Sequence, residues 1–280
     1  MNEQALQDHY VKVNDVNTRY WVAGSEGPVV LLIHGIGCAV DSWILNINAI
    51  AQKHRVYALD LVGFGKSDKP EIDYSFATFA KFVKDFMVTQ NIEKASLIGW
   101  SLGGGTSLQF AIDFPEKLDK LVLLASAGVG KEIHLMFRMS SIPLIGKLLS
   151  RPSKKGTARL LKECVFDNAL ITDELVDLYY QFAALPGGHD AWLATLQCGV
   201  NFGGVKKEIL QYFQEHFNSI KAPTLIIWGK QDRVFPINHA HEAEKRLPNA
   251  EVYVIEQCGH CPQFEHPEAF NARVIEFLNR

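Results

Sequence analysis

An α/β fold is expected, with a mostly parallel eight-stranded sheet, helices on both faces and an inserted helical cap. Three observations predict it. Short apolar, β-branched runs recur with helical segments between them, which is the pattern of strands joined by helical crossovers. Several of these runs are apolar without alternation, as strands buried on both faces require. Finally, the strand pattern stops for some 90 residues and then resumes, as it would around an insertion.

The elements follow in order. Tyr10–Val13 and Thr18–Ala23 alternate around Asn14-Asp15 and read as a hairpin at the sheet edge. Val29–Ile33, Val56–Leu59, Ala95–Gly99 and Leu121–Ala125 are near-continuous apolar runs, and Thr224–Trp228 and Val252–Ile255 resume the pattern. Phe79, Phe82, Val83 and Phe86 fall at i, i+3, i+4 and i+7, so Phe76–Thr89 reads as a helix; Leu102–Phe114 and Ala269–Leu278 do too. From Gly128 to Ser219 no strand is convincing. Thr172-Asp-Glu-Leu looks like a capped helix start, and Pro186-Gly-Gly a break. The expected division is a core of residues 1–127 and 220–280, with a cap of residues 128–219.

Composition narrows the function classes. Apolar residues make up 48% of the 280 and charged residues 21%, ordinary for a folded enzyme. The net charge of −3, with no long basic run, prepares no surface for nucleic acid. Met1 to His9 is polar and acidic, unlike a signal peptide, and a cytoplasmic protein is expected. Ala95 to Ile112 has no charged residue over 18 positions, the lower limit for a membrane span. Gly99, Gly103, Gly104 and Gly105 interrupt it, so a buried strand, a tight turn and a buried helix are the better reading.

The five cysteines are scattered and odd in number, which does not suggest a disulfide framework. Cys258-Gly-His-Cys261 is a C-x-x-C known from disulfide oxidoreductases, but only 19 residues follow it, too few for a thioredoxin-like domain. No second C-x-x-C exists to complete a zinc site. Neither metal nor cofactor is expected.

The chemistry centres on Gly99-Trp100-Ser101-Leu102-Gly103, a G-x-S-x-G between a buried strand and a buried helix. Such a turn must be tight, with Ser101 at its tip and at a helix N-terminus, where free N–H groups favour developing negative charge. Here the chain resembles the α/β-hydrolase superfamily, serine carboxylesterase-like with a helical cap, over nearly its whole length. His34-Gly35-Ile36-Gly37 resembles that family's oxyanion loop, and Asp60-Leu-Val-Gly63-Phe-Gly65-Lys-Ser67 its D-x-x-G-x-G-x-S. Gly229-Lys-Gln-Asp232-Arg-Val-Phe-Pro236 and Gly259-His260 resemble its acid and histidine loops.

The residues argue the same way. A serine hydroxyl needs a base near neutrality, and of ten histidines His260 lies just past the last strand, in a Gly-containing loop. His34 also lies at a strand end, and the resemblance makes it structural. His239, His241 and His266 fall in polar helical stretches and are expected in solvent. The orienting acid of some relatives follows the sixth strand, where this chain reads Ala125-Ser-Ala-Gly-Val-Gly, leaving Asp232. Asp60 and Asp68 read as loop acids bonded to backbone. The expected catalytic residues are Ser101, Asp232 and His260. The oxyanion donors are the N–H of Leu102 and one from the loop after the third strand, Ile36 or a neighbour.

In the first cap segment Ile133, Met136, Phe137, Met139 and Leu149 either roof an apolar pocket or form the cap's own core. Arg138 and Arg151 either meet an anionic substrate group or lie in solvent, and Trp100 and Trp192 are pocket candidates. Serine at position 101 argues against haloalkane dehalogenases and epoxide hydrolases, which use aspartate. A carboxylesterase for a small-molecule ester, small or medium in its acyl part, is the expected activity. Gly103-Gly-Gly and Gly259-His-x-x-Gln-x-Glu-His suggest the alternative of a meta-cleavage carbon–carbon hydrolase, from which Trp100 (in place of asparagine) and Cys261 (in place of tryptophan) depart. Cofactor-free haloperoxidases share the triad, and a ligand receptor on the same fold is the non-enzyme reading.

Overall fold

The computed structural model describes residues 6–280; Met1–Ala5, the start of the polar N-terminus, lie outside the described residues. Strands β1 (His9–Val13) and β2 (Val16–Ala23) form the antiparallel hairpin, turning where Asn14 adopts φ 53°. Then come β3 (Val29–Ile33), β4 (Arg55–Leu59), β5 (Ala95–Trp100), β6 (Leu118–Leu124), β7 (Thr224–Gly229) and β8 (Ala250–Ile255). These eight strands make one sheet in the spatial order β1-β2-β4-β3-β5-β6-β7-β8. β2 runs antiparallel to β4, and every pairing from β4 to β8 is parallel. The fold class is the one the sequence predicts.

The helices close both faces. Helix α1 (Phe76–Thr89) starts where the Ser75 hydroxyl accepts from the Thr78 N–H at 3.3 Å, and buries Phe79, Phe82, Val83 and Phe86. Helix α2 (Leu102–Asp113) is buried from Leu102 through Ala111. That burial explains the uncharged stretch from Ala95: a central strand and a central helix both need apolar surroundings. No helix among the described residues is long and apolar enough to cross a membrane.

Between β6 and β7 the chain forms α3 (Leu135–Ser140), α4 (Lys154–Cys164), α5 (Asp173–Ala184), α6 (Gly188–Gly199) and α7 (Lys207–His216). The Thr172 hydroxyl accepts from the Leu175 N–H at 3.3 Å, capping α5 as its sequence indicates. One expectation fails here. Val200–Asn201 and Gly204–Val205 pair as a two-stranded ribbon, too short to show any alternation in sequence. Helix α8 (Asn238–Glu244) follows β7, and α9 (Pro267–Leu278) ends the chain.

Buried charge organises the loops at the C-terminal edge of the sheet. Arg19 on β2 bonds Asp8 at 2.6 Å and Asp41 at 2.8 Å and lies 3.5 Å from Asp60. Asp60 also accepts the Val40 and Lys66 N–H groups, each at 2.7 Å. A fully buried carboxylate is tolerated only with such partners.

Candidate active site

Ser101 sits between the end of β5 and the start of α2 with φ 56°, a left-handed backbone that costs a non-glycine residue about 1–3 kcal/mol. Surrounding bonds hold it there. Its N–H donates to Leu124 O at 2.9 Å, and its carbonyl accepts from Gly104 at 3.0 Å, Gly105 at 3.2 Å and Ala127 at 3.0 Å. The glycines of the motif follow from crowding. A Cβ on Gly99 would lie 2.2 Å from Gly103 O, and one on Gly103 would lie 2.1 Å from Ile33 O.

The structure brings the three expected side chains together, all buried. His260 Nε2 is 2.9 Å from Ser101 Oγ, and His260 Nδ1 is 2.8 Å from Asp232 Oδ2. The other oxygen of Asp232 accepts the Val234 and Phe235 N–H groups at 2.7 and 2.9 Å. An ionised carboxylate only accepts, so Nδ1 carries the hydrogen and Nε2 is left to accept from the serine.

The Gly35-Ile36 turn packs on this serine: a Cβ on Gly35 would be 3.3 Å from Ser101 Cβ. The N–H groups of Ile36 and Leu102 have no hydrogen-bond partner among the described residues. Both residues line a small cavity of about 60 Å³ beside Ser101, walled by Phe76, Ile133, Phe137, Leu196 and Val234. A second cavity of about 190 Å³ is lined by Ser101 and His260, with Leu160, Leu161, Leu175 and Trp192 from the helices between β6 and β7 in its wall. Its lining includes Asp41, already paired with Arg19, and no lysine or arginine.

Other candidates lie elsewhere. His34 accepts the Leu61 N–H at Nε2 (3.0 Å) and faces Gly35 O with Nδ1 (2.7 Å); burial holds its imidazole down at about 4. His239 is a correction. It is buried with Nε2 2.8 Å from Glu132, because α8 packs that face inward against Trp228 and Phe235. His241 is exposed, and His266 Nε2 lies 2.9 Å from Gln257 O. Asp68 accepts the Asn17 N–H at 2.7 Å. Arg138 donates to Phe202 O at 2.7 Å and stacks on that ring. All five cysteines are free, and burial pushes the Cys258 and Cys261 thiols up, away from thiolate.

Sequence reasoning missed how the histidine loop is held. Glu265 Oε1 accepts the N–H groups of Gly259 (2.9 Å) and Cys261 (3.1 Å), on either side of His260, while Oε2 accepts that of Phe166 (2.6 Å). The His260 N–H donates to Cys164 O at 2.7 Å, and the Trp100 indole donates to His260 O at 2.7 Å. Arg233, next to Asp232, donates to Lys162 O (3.0 Å) and Val165 O (2.7 Å). The C-terminal end of α4 is thus fastened to both the acid loop and the histidine loop. Glu265 stands in the Gly-His-x-x-Gln-x-Glu run, but nothing in that run says what it holds.

Sheet order, elbow and strand-end loops define one class: the chain belongs to the α/β-hydrolase fold family, which matches residues 28–144 and 181–267. Among particular relatives, it is 34% identical over 283 residues to the 2-hydroxy-6-oxo-6-(2'-aminophenyl)hexa-2,4-dienoic acid hydrolase of Metapseudomonas resinovorans, covering 100% of this chain and 93% of that one. It resembles the solved meta-cleavage product hydrolase of Pseudomonas fluorescens IP01 with 28% identity, 97% of each chain covered and a TM-score of 0.83. A solved bacterial membrane phospholipase A is 28% identical with a TM-score of 0.81, covering 98% of this chain and 86% of that one.

Proposed function

We propose that this protein is a serine hydrolase in which Ser101 attacks the carbonyl carbon of a small-molecule substrate. The observation that carries the reading is the buried hydrogen-bonded chain Ser101–His260–Asp232 at a strained elbow. His260 takes the serine proton and later returns it to the leaving group, while Asp232 fixes the tautomer and stabilises the imidazolium. The N–H groups of Leu102 and Ile36, residues that line the small cavity beside Ser101, serve as donors to the tetrahedral oxyanion. Residues 128–219 act as a cap that roofs the cavities and holds bulk water back from the bound substrate; one water, deprotonated by His260, then hydrolyses the acyl-enzyme and frees Ser101.

For the bond that breaks, the named relatives support carbon–carbon cleavage of a 2-hydroxy-6-oxo-dienoate better than the ester expected from sequence. In that reading the dienol first becomes its keto tautomer, and attack at the 6-oxo carbon then releases the dienoate fragment as leaving group. An ester is the second reading. It is favoured by the lining around Ser101, where Trp100 and Cys261 stand in place of the asparagine and tryptophan of the meta-cleavage type and no lysine or arginine is present.

Both readings are tested by measuring kcat/KM on a 2-hydroxy-6-oxo-dienoate and on a p-nitrophenyl ester, with wild type and Ser101→Ala. The expected result is a dienoate preference of at least about tenfold, equivalent to about 1.4 kcal/mol, and loss of both activities in the variant. Multiple ester turnovers with feeble dienoate cleavage would replace the carbon–carbon reading with the ester. A variant retaining more than about a tenth of the activity would remove Ser101 as nucleophile.

A further inference from the structure

A second, larger chamber of about 510 Å³ adjoins the cavity over Ser101, and the two share Gly37, Phe137, Thr157, Leu160, Ala183 and Trp192 in their linings. The chambers differ in charge. The inner one has no lysine or arginine, whereas the outer one has Lys69, Arg151 and Arg159 and no aspartate or glutamate. Arg151 and Arg159 have no hydrogen-bond or ion-pair partner among the described residues. Lys69 donates to Gly65 O and Ser67 O, each at 2.8 Å, and burial holds its ammonium below the usual range. His189 is likewise held down by burial, with Lys147 and Arg151 adding to the effect against Asp190. The start of α4 supplies Ser153, Gly156 and Thr157 to the same wall, so the positive end of that helix's dipole adds to the potential there. Leu135, Met136, Met139 and Phe182 complete an apolar surround.

A carboxylate or phosphate is costly to place in the inner cavity, where the one charged carboxyl, Asp41, has its sign. It is favoured in the outer chamber, where two unpaired guanidinium forks match its geometry. We propose that the outer chamber binds the anionic end, carboxylate or phosphate, of an amphiphilic substrate whose uncharged part passes Trp192 and Phe137 to reach Ser101. This rests on the hydrolase reading of the inner cavity and adds the substrate class: a chain that is apolar at the reacting carbonyl and anionic at its far end. Arg151 and Arg159 then become specificity residues.

The test measures binding in the full-length Ser101→Ala protein, so that no turnover is needed. Octanoate, octyl phosphate, octanol and inorganic phosphate are titrated by calorimetry, and the titrations are repeated in an Arg151→Ala/Arg159→Ala background. The expected result is that at least one octyl anion binds about tenfold or more tightly than octanol and than inorganic phosphate. That preference should collapse in the arginine variant and weaken with salt. The better octyl anion identifies the source as a carboxylic acid or a phosphate ester. Octanol binding as tightly as both anions, a preference untouched by the arginine substitutions, or inorganic phosphate matching octyl phosphate would each overturn the proposal. Failure of the hydrolase reading would show separately, as wild-type protein without turnover beside an intact anion preference.

Discussion

His34 offers a way to read the anchoring of the Gly35-Ile36 turn through acid sensitivity. Its imidazole is fully buried, accepts the Leu61 N–H at Nε2 and offers Nδ1 to Gly35 O. Protonation would set a second N–H against the Leu61 donor inside an apolar surround. Burial therefore holds the folded pKa at about 4, against 6.5 for the free side chain. The unfolded chain then binds the proton first as pH falls. Stability is fully present above about 6.5 and is lost progressively between 6.5 and 4. The shift corresponds to about 3 kcal/mol, a large share of the stability of a typical domain. Urea unfolding at pH 7.5, 5.5 and 4.5 on wild type and His34→Gln would measure it. The variant should start less stable and lose less on acidification, by close to one proton of slope. His54, which burial also holds down, is present in both proteins and cancels. Parallel pH dependences in the two proteins would refute the reasoning.

Two further outcomes follow from the site. Asp232→Asn should keep the fold while kcat falls by at least about a thousandfold, because the amide no longer selects the tautomer with Nδ1 protonated; unchanged steady-state kinetics would point to another acid. Replacing Cys258 and Cys261 together by alanine should leave kcat within about tenfold, since buried neutral thiols are poor nucleophiles and ligands, and chelators should have no effect. Activity lost to a chelator and restored by zinc would contradict this.

The strands of the sheet were legible because each is buried on a known number of faces, and burial writes itself into composition. β8 shows the limit: it is half-buried at the edge, and its first residues, Ala250 and Glu251, carry no apolar signal. Ser101, Asp232 and His260 could be named as candidates because each follows a strand end in its own loop. Arg19 could not, since its three carboxylates come from positions 8, 41 and 60, which only the folded sheet brings together. His239 was misjudged for a related reason: on a short helix, a polar sequence does not tell which face turns inward. The bond to be cleaved is hidden more deeply, because ester and carbon–carbon hydrolysis ask the same things of serine, histidine and oxyanion donors.

The bonds joining the end of α4 to the histidine loop constrain traffic through the site. Lifting that end would break Phe166 N–H to Glu265, His260 N–H to Cys164 O and both bonds from Arg233, at a cost of roughly 5 kcal/mol for the charge-assisted bonds alone. It would also release the backbone of His260 on the side that faces the insertion. Any opening of this segment that spares those bonds would pivot at Val165, with Ser153 on the moving edge. Opening at the Ser153 end would leave His260 and the Asp232 loop in place, whereas opening at the Val165 end would disturb both.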